Sequence, residues 1–450
     1  MNQSQPSVLE HPFIRSPHRT LAGMSFPVLL SLIAEPMTGL VDTAFVSRLG
    51  SAPLAALGIG AMVLSGIFWI FNFLGIGTQT GIAQAYGNRD YERGRQTAWT
   101  AVIAGAILGL GVAAVCTPLV SAISHAMGAT PNVHTAAVEY LHIRLLGAPA
   151  VLVSVAAFGA LRGLMDMKTP FYIAVFVNGV NIVLDAVLIF GFGNLPPMGV
   201  AGAALAATIS QYMGAVWAGA AVYRRFGFFM RLPMKDLARL FLVGRDLFIR
   251  TGLIIFFLLL STRSATKMGP EAGAAHQAIR QVWVFTALFL DAFAITGQSL
   301  IGYFFGPGEV GTARNAAKVI CLWSIGTGLL LTAAMVAGLG IVRSVLVPPD
   351  AFYAFGPAWL VAAATQPVNA VAFATDGIHW GAGDWRYLRN VVCLATGFGA
   401  AGIFFVEHSI DPSLIDVWIV IAFWLVIRAF FGIARIWPGS GTAPLKNRKR

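Results

Sequence analysis

Long apolar runs alternate along the chain with short polar breaks. A helix crossing the hydrocarbon of a bilayer needs about 20 predominantly apolar residues. Twelve such runs occur, at 20–46, 53–86, 96–123, 134–160, 169–192, 198–223, 238–265, 272–305, 314–345, 353–380, 387–408 and 413–436, punctuated by Gly, Pro or charged residues. The other architecture that satisfies its backbone polar groups in lipid is a closed β-barrel. Period-two alternation is absent and the runs are too long for tilted strands. The pattern predicts an all-α polytopic membrane protein with twelve transmembrane helices.

Composition agrees. Of 450 residues, 57% are hydrophobic and 11% charged, with mean hydropathy +0.75. Soluble domains carry about 25% charged residues, so a soluble enzyme, a disordered chain and a disulfide-stapled domain are all excluded. The net charge of +11 would suggest nucleic acid in a soluble protein. Here the basic residues fall at the ends of the apolar runs, where they set orientation instead. With the N-terminus inside, 22 Lys and Arg lie on the cytoplasmic side and four, Arg48, Arg263, Lys267 and Arg343, on the other. Both termini are therefore expected in the cytoplasm, with the protein in the cell (inner) membrane. Residues 1–19 read as a short cytoplasmic leader and not a cleaved signal peptide. Cys116, Cys321 and Cys393 lie far apart in apolar segments and read as small hydrophobes; the histidines show no ligand spacing, so no metal site is expected.

The chain repeats itself. At a shift of about 219 residues, "SRLGSAPLAALGIG" (47–60) lies over "TKMGPEAGAAHQAI" (266–279), Gln79 over Gln298, Gly87 over Gly306 and Arg95 over Arg314. "GLMD" (163–166) pairs with "GAGD" (381–384). Each repeat has an even number of helices, so the copies share one topology. Parallel repeats of this kind are a transporter architecture, with the substrate path between the lobes. The expected organisation is an N-lobe at 20–223, a basic inter-lobe linker at 224–237, a C-lobe at 238–436 and a basic tail at 437–450.

Ionisable groups inside the membrane need a reason, since each costs at least about 2.5–3.5 kcal/mol. Glu35, Thr38 and Asp42 fall at i, i+3, i+7, on one face of helix 1. Asn178, Asn181 and Asp185 repeat that spacing on helix 5. Such acid-tipped stripes should face each other or a wet cavity. Carboxyl and amide groups together suit a proton relay, and with the Thr208 hydroxyl on helix 6 their oxygens also suit sodium. Pro27 and Pro36 should kink helix 1. In the second half, Gln366, Asn369 and Asp376 share a face of helix 10, while Arg280 and Asp291 share helix 8 about 16 Å apart. Asp246 and Arg250, at i, i+4, are expected to form a local stabilising pair. Tyr140 and Arg144 have the same spacing. No nucleotide-binding pattern is present, so the expected energy source is an ion gradient, without an ATPase subunit or other cofactor.

These residues resemble a known family. The twelve-helix duplication, "PMTGLVDTAFVSRLG" (36–50), "RGLMDMKTP" (162–170), "VNGVNIVLDAVLIFG" (177–191) and "QPVNAVAFATDGIHWGAGD" (366–384) are similar to the multidrug and toxic compound extrusion (MATE) transporters. Helix 7 lacks an intramembrane glutamate, and "GRDLFIR" (244–250) and "FLDAFAITGQSLIG" (289–302) look like the DinF-type branch. The resemblance implies a V-shaped, two-lobed antiporter exporting cationic or amphipathic small molecules in exchange for H+ or Na+. It places the cation site at Asp42, Asn181, Asp185 and Thr208, and matches Asp376 to a second-half acid. Glu35, Thr38, Tyr140, Asn178, Arg280, Asp291, Gln366, Asn369 and Asp376 are expected to support that site or line the substrate pathway. The partners expected are small molecules and the lipid bilayer, not nucleic acid, with the monomer as the working unit. Two other readings are a flippase of a lipid-linked precursor, which would favour a cationic cavity, and an intramembrane enzyme, for which no HExxH or GxSxG is present.

Overall fold

The apolar runs form helices in the computed structural model, which describes residues 10–229, 234–439 and 441–446. The rest of the expected leader, linker and tail lies outside the described residues. Twelve helical stretches follow one another: α1 Pro17–Ser47, α2 Ser51–Gly87, α3 Tyr91–Ala126, α4 Pro131–Leu146 with Ala148–Gly163, α5 Lys168–Phe190 and α6 Gly199–Phe226. The second six are α7 Met234–Lys267, α8 Pro270–Phe305, α9 Val310–Leu346, α10 Phe352–Ala364 with Gln366–Ala382, α11 Trp385–Glu407 and α12 Leu414–Ile436. Among the described residues there is no strand, only an isolated bridge between Phe192 and Leu195.

Nine of these helices are long and apolar enough to cross a membrane by themselves, and the two pieces of α4 together make a tenth, counted over the described residues. The other two carry more polar cargo. The second piece of α10 buries Gln366, Asn369, Thr375, Asp376 and His379, and α7 carries Arg245, Asp246, Arg250, Arg263 and Lys267.

The duplication is visible in how the helices pack. In the first half α2 and α3 pack on α4, α4 on α6, and α5 on α6. In the second half α8 and α9 pack on α10, α10 on α12, and α11 on α12. Both fourth helices break at the same place, just before Pro149 and Pro367, each near the start of the second piece. Proline cannot donate the backbone hydrogen bond that would carry the helix through, and its fixed φ suits a new helical start. The α4 break bends the helix by 46°.

Equivalent glycines sit at equivalent crossings. A Cβ on Gly163 would lie 2.8 Å from the Gln79 carbonyl oxygen, and one on Gly381 2.5 Å from that of Gln298. Likewise Gly109 meets Pro149, and Gly328 meets Pro367. Small residues let helix backbones approach in lipid, where dispersion and hydrogen bonding, not the hydrophobic effect, hold helices together.

The chain divides into two structural units, Phe26–Gly244 and Arg245–Arg450, the latter including the N-terminal segment up to Ser25. The division falls within α7. In that second unit, His11 and Phe13 lie against Phe304 of α8, and the Trp323 indole donates to His18 at 2.9 Å. The residues beginning the chain's described part therefore belong structurally with the second repeat.

Candidate functional site

The first unit gathers the acid-tipped stripes. Asp42 and Asp185 each lie five residues before the C-terminal end of their helix, α1 and α5. Their carboxyl groups are close neighbours. A carboxylate can only accept, so two acids at such close range can hydrogen-bond only when one of them carries a proton. Asn181, one turn earlier on α5, donates its amide N–H to Asp185 Oδ2 at 2.6 Å. Asp185 is fully buried and Asn181 nearly so. One oxygen of each acid, Asp42 Oδ1 and Asp185 Oδ1, is buried without a conventional donor.

Beyond the acids, toward the ends of α1 and α5, the packing turns apolar. Val46 and Ile189, each four residues after an acid, join Leu57, Leu64, Leu141 and Leu145 in one cluster. Phe45 and Phe190 meet edge to face, 5.9 Å between centroids. This layer leaves the acid pair little water on that side.

Two residues absent from the expected set, Arg144 and Gln211, complete the cluster. The Arg144 side chain on α4 is 8% exposed and its charge acts on Glu35, Asp42 and Asp185. Its Nη1 donates to Gln211 Oε1 on α6 at 2.9 Å, and its Nε has no acceptor. Tyr140, one turn earlier, packs its ring over Gly60. Tyr140 and Arg144, at i, i+4, lie on one face of α4. An intramembrane arginine is itself a signal, whereas Gln211 had none beyond being polar.

The other expected first-half residues take several positions. Thr208 is buried, but its hydroxyl donates to the Ile143 carbonyl at 3.2 Å and not to an acid. Thr38 donates within α1 to Ala34 at 3.1 Å. Asn178 is half-buried, and Glu35 is exposed on α1. Beside Thr208 lies a groove of about 550 Å³ with almost wholly apolar walls, among them Phe176, Tyr212, Met213, Val216 and Trp217 of α5 and α6.

In the second unit, the expected local pair Asp246–Arg250 does not form. Arg250 bonds instead to Asp376 on α10, which also takes Arg428 of α12 at 2.7 Å. Asp246 pairs with Arg389 at 2.7 Å and Arg245 at 3.2 Å. Helical spacing permitted the local pair, but α7 turns Arg250 toward Asp376 on α10, while Asp246 is taken by Arg245 and Arg389. Gln366 accepts from Thr286 at 3.3 Å, and Asn369 is fully buried. Arg280 caps Gln277 on its own helix and does not reach Asp291, which is half-buried. Among the described residues no group of three or more metal-ligating side chains occurs.

A family model described as MatE matches residues 27–187 and 248–405, one block in each repeat. The chain belongs to the MatE family. This membrane transporter is 31% identical to Protein DETOXIFICATION 44, chloroplastic, of Arabidopsis thaliana, across 95% of its own length and 83% of that protein's. It is 26% identical to the DNA damage-inducible protein F of Escherichia coli, across 94% of its length and 93% of the other's. Crystal structures of MATE in the bent and the straight conformation superpose with TM-scores of 0.85 and 0.83 at 21% identity. They cover 93% of this chain and 94% and 95% of theirs, and establish the twelve-helix MATE fold. As a MATE protein the chain is a multidrug and toxic compound efflux transporter, embedded in a membrane and acting on small molecules.

Proposed function

We propose that this MATE protein is a secondary antiporter in which protons drive export of cationic or amphipathic compounds, and that Asp42 and Asp185 carry the coupling proton. The observation that supports the reading is the juxtaposition of the two carboxyls beside a single amide donor. Losing the shared proton leaves two like charges in one site, which must separate or find a cation. A substrate cation or a movement of α1 against α5 supplies that relief, and the prolines within α1, Pro27 and Pro36, weaken its backbone for such a bend. Ion and substrate then compete for the same charge, which is the differential affinity that coupling requires.

Protons suit the site better than sodium. Asn181 turns an N–H, not an oxygen, to Asp185, and Thr208 is bonded elsewhere. The basic loops favour both termini in the cytoplasm, which puts the acid pair in the outer half of an inner membrane. The monomer suffices, since the whole acid cluster is built from one unit.

Purified protein in proteoliposomes decides the ion. A pH gradient is expected to drive uptake of a fluorescent cationic dye, and a sodium gradient at fixed pH to drive none. Equal transport with sodium alone overturns proton coupling. If neither gradient moves a panel of organic cations, the antiport reading itself fails.

A further inference from the structure

The second unit buries a charge that its own residues leave unbalanced. Asp376 receives two guanidinium groups, Arg250 from α7 and Arg428 from α12, both on Oδ2. Among the described residues neither arginine is paired with any other carboxylate. Side-chain exposures of 7% for Arg250, 9% for Asp376 and 6% for Arg428 place all three out of water, closed but not sealed. Arginine does not shed its proton to escape such a site. The cluster therefore holds one net positive charge inside the membrane-spanning part of the protein.

Its hydrogen bonding is open as well. The Nε–H groups of Arg250 and Arg428 are both buried without an acceptor. Trp380 lies 5.2 Å from the Arg250 guanidinium carbon, and Trp424 4.5 Å from that of Arg428. These ring faces ease the charge but accept no N–H hydrogen bond in the plane of the guanidinium. Asn369, two turns before Asp376 on the same face of α10, is fully buried with both amide atoms unpartnered. An uncompensated buried charge costs several kcal/mol, and unmade hydrogen bonds at charged groups add to it.

We propose that this cluster is an anion site, where a halide or the carboxylate group of an organic acid supplies the missing charge to the Nε–H donors of Arg250 and Arg428. Guanidinium groups present planar pairs of donors that fit carboxylates and hold small anions as well. The site lies in the opposite repeat from the acid pair and does not depend on proton coupling. It gives an efflux protein a place for the anionic end of a zwitterionic or acidic compound, or for a counter-ion that accompanies one.

Thermal unfolding of the detergent-purified full chain tests this, because a ligand that binds the folded state raises its Tm with concentration. At constant ionic strength, sodium methanesulfonate is replaced by chloride in one arm and by acetate in the other. A saturable rise in the chloride arm alone marks a halide site, and one in the acetate arm a carboxylate site. Arg428→Gln leaves a neutral Arg250–Asp376 pair and is expected to abolish the rise. Asp376→Asn leaves two unopposed arginines and is expected to shift half-saturation about tenfold lower, equivalent to ~1.4 kcal/mol. A wild-type Tm that does not respond to either anion overturns the proposal, as does a response unchanged in both variants. If Arg428→Gln does not fold, Asp376→Asn decides alone: weaker or unchanged anion response overturns the site.

Discussion

Asp42 on α1 and Asp185 on α5 bring their carboxyl groups together in the first unit. An amide replaces a carboxyl with nearly the same shape and can still hydrogen-bond its neighbour, but it does not exchange a proton. Asp42→Asn and Asp185→Asn are each expected to fold with stability within about 1 kcal/mol of wild type and to lose gradient-driven export. Circular dichroism and proteoliposome efflux measure the two halves of that statement. Undiminished exchange by either variant shows that its carboxyl carries no coupling proton.

Arg144 depends on Gln211. Its Nη1 gives the 2.9 Å bond to Gln211 Oε1, while the Nε already lacks an acceptor. Gln211→Leu removes a buried acceptor from a charged donor, with an expected cost of about 1–3 kcal/mol. Gln211→Glu instead supplies an acidic acceptor and should restore much of the loss. Thermal unfolding of both variants in one detergent tests the ordering.

The paired glycines offer a test of the duplication itself. Alanine at Gly163 or Gly381 drives a Cβ against the Gln79 or Gln298 carbonyl, so both should destabilise by a similar amount, about 1–3 kcal/mol. Gly397, with nothing within 4 Å of an added Cβ, is the control. Alanine there should cost nothing or stabilise slightly, since it favours the helix. A tolerant Gly163 beside a sensitive Gly381 is the result that breaks the equivalence.

His11 sets a pH dependence at the described start of the chain. Burial holds its imidazole down to about 4, and its Nδ1 accepts from the Phe13 N–H at 3.2 Å. The folded segment therefore binds fewer protons than the detached one. Its docking is fully stable above the ordinary histidine value near 6.5 and weakens as pH falls from there toward about 4. Limited proteolysis at the N-terminus should speed up at pH 5 relative to pH 7.5, and His11→Gln should flatten that difference.

Much of this protein is legible along the chain because a bilayer writes its demands residue by residue. The twelve apolar runs, the repeat and the i, i+3, i+7 stripes on α1 and α5 all follow from helix periodicity and from the cost of polarity in lipid. Spacing along one helix was a poor guide to partners across helices. Asp246 and Arg250 satisfy the local rule and do not pair, while Thr208 has the right chemistry and spends its proton on Ile143.

By itself, then, the sequence determined which segments cross the membrane, that they form two copies of one design, and where carboxyl groups lie within the spans. Tertiary structure decided who meets them. It brought Arg144 and Gln211 to the acid pair, gave Asp376 two arginines, and assigned the first described residues to the second unit. Helix periodicity fixes the face a side chain occupies, and only packing fixes which other face it meets. In a medium without water to fill a missing bond, that meeting sets each charge's partner.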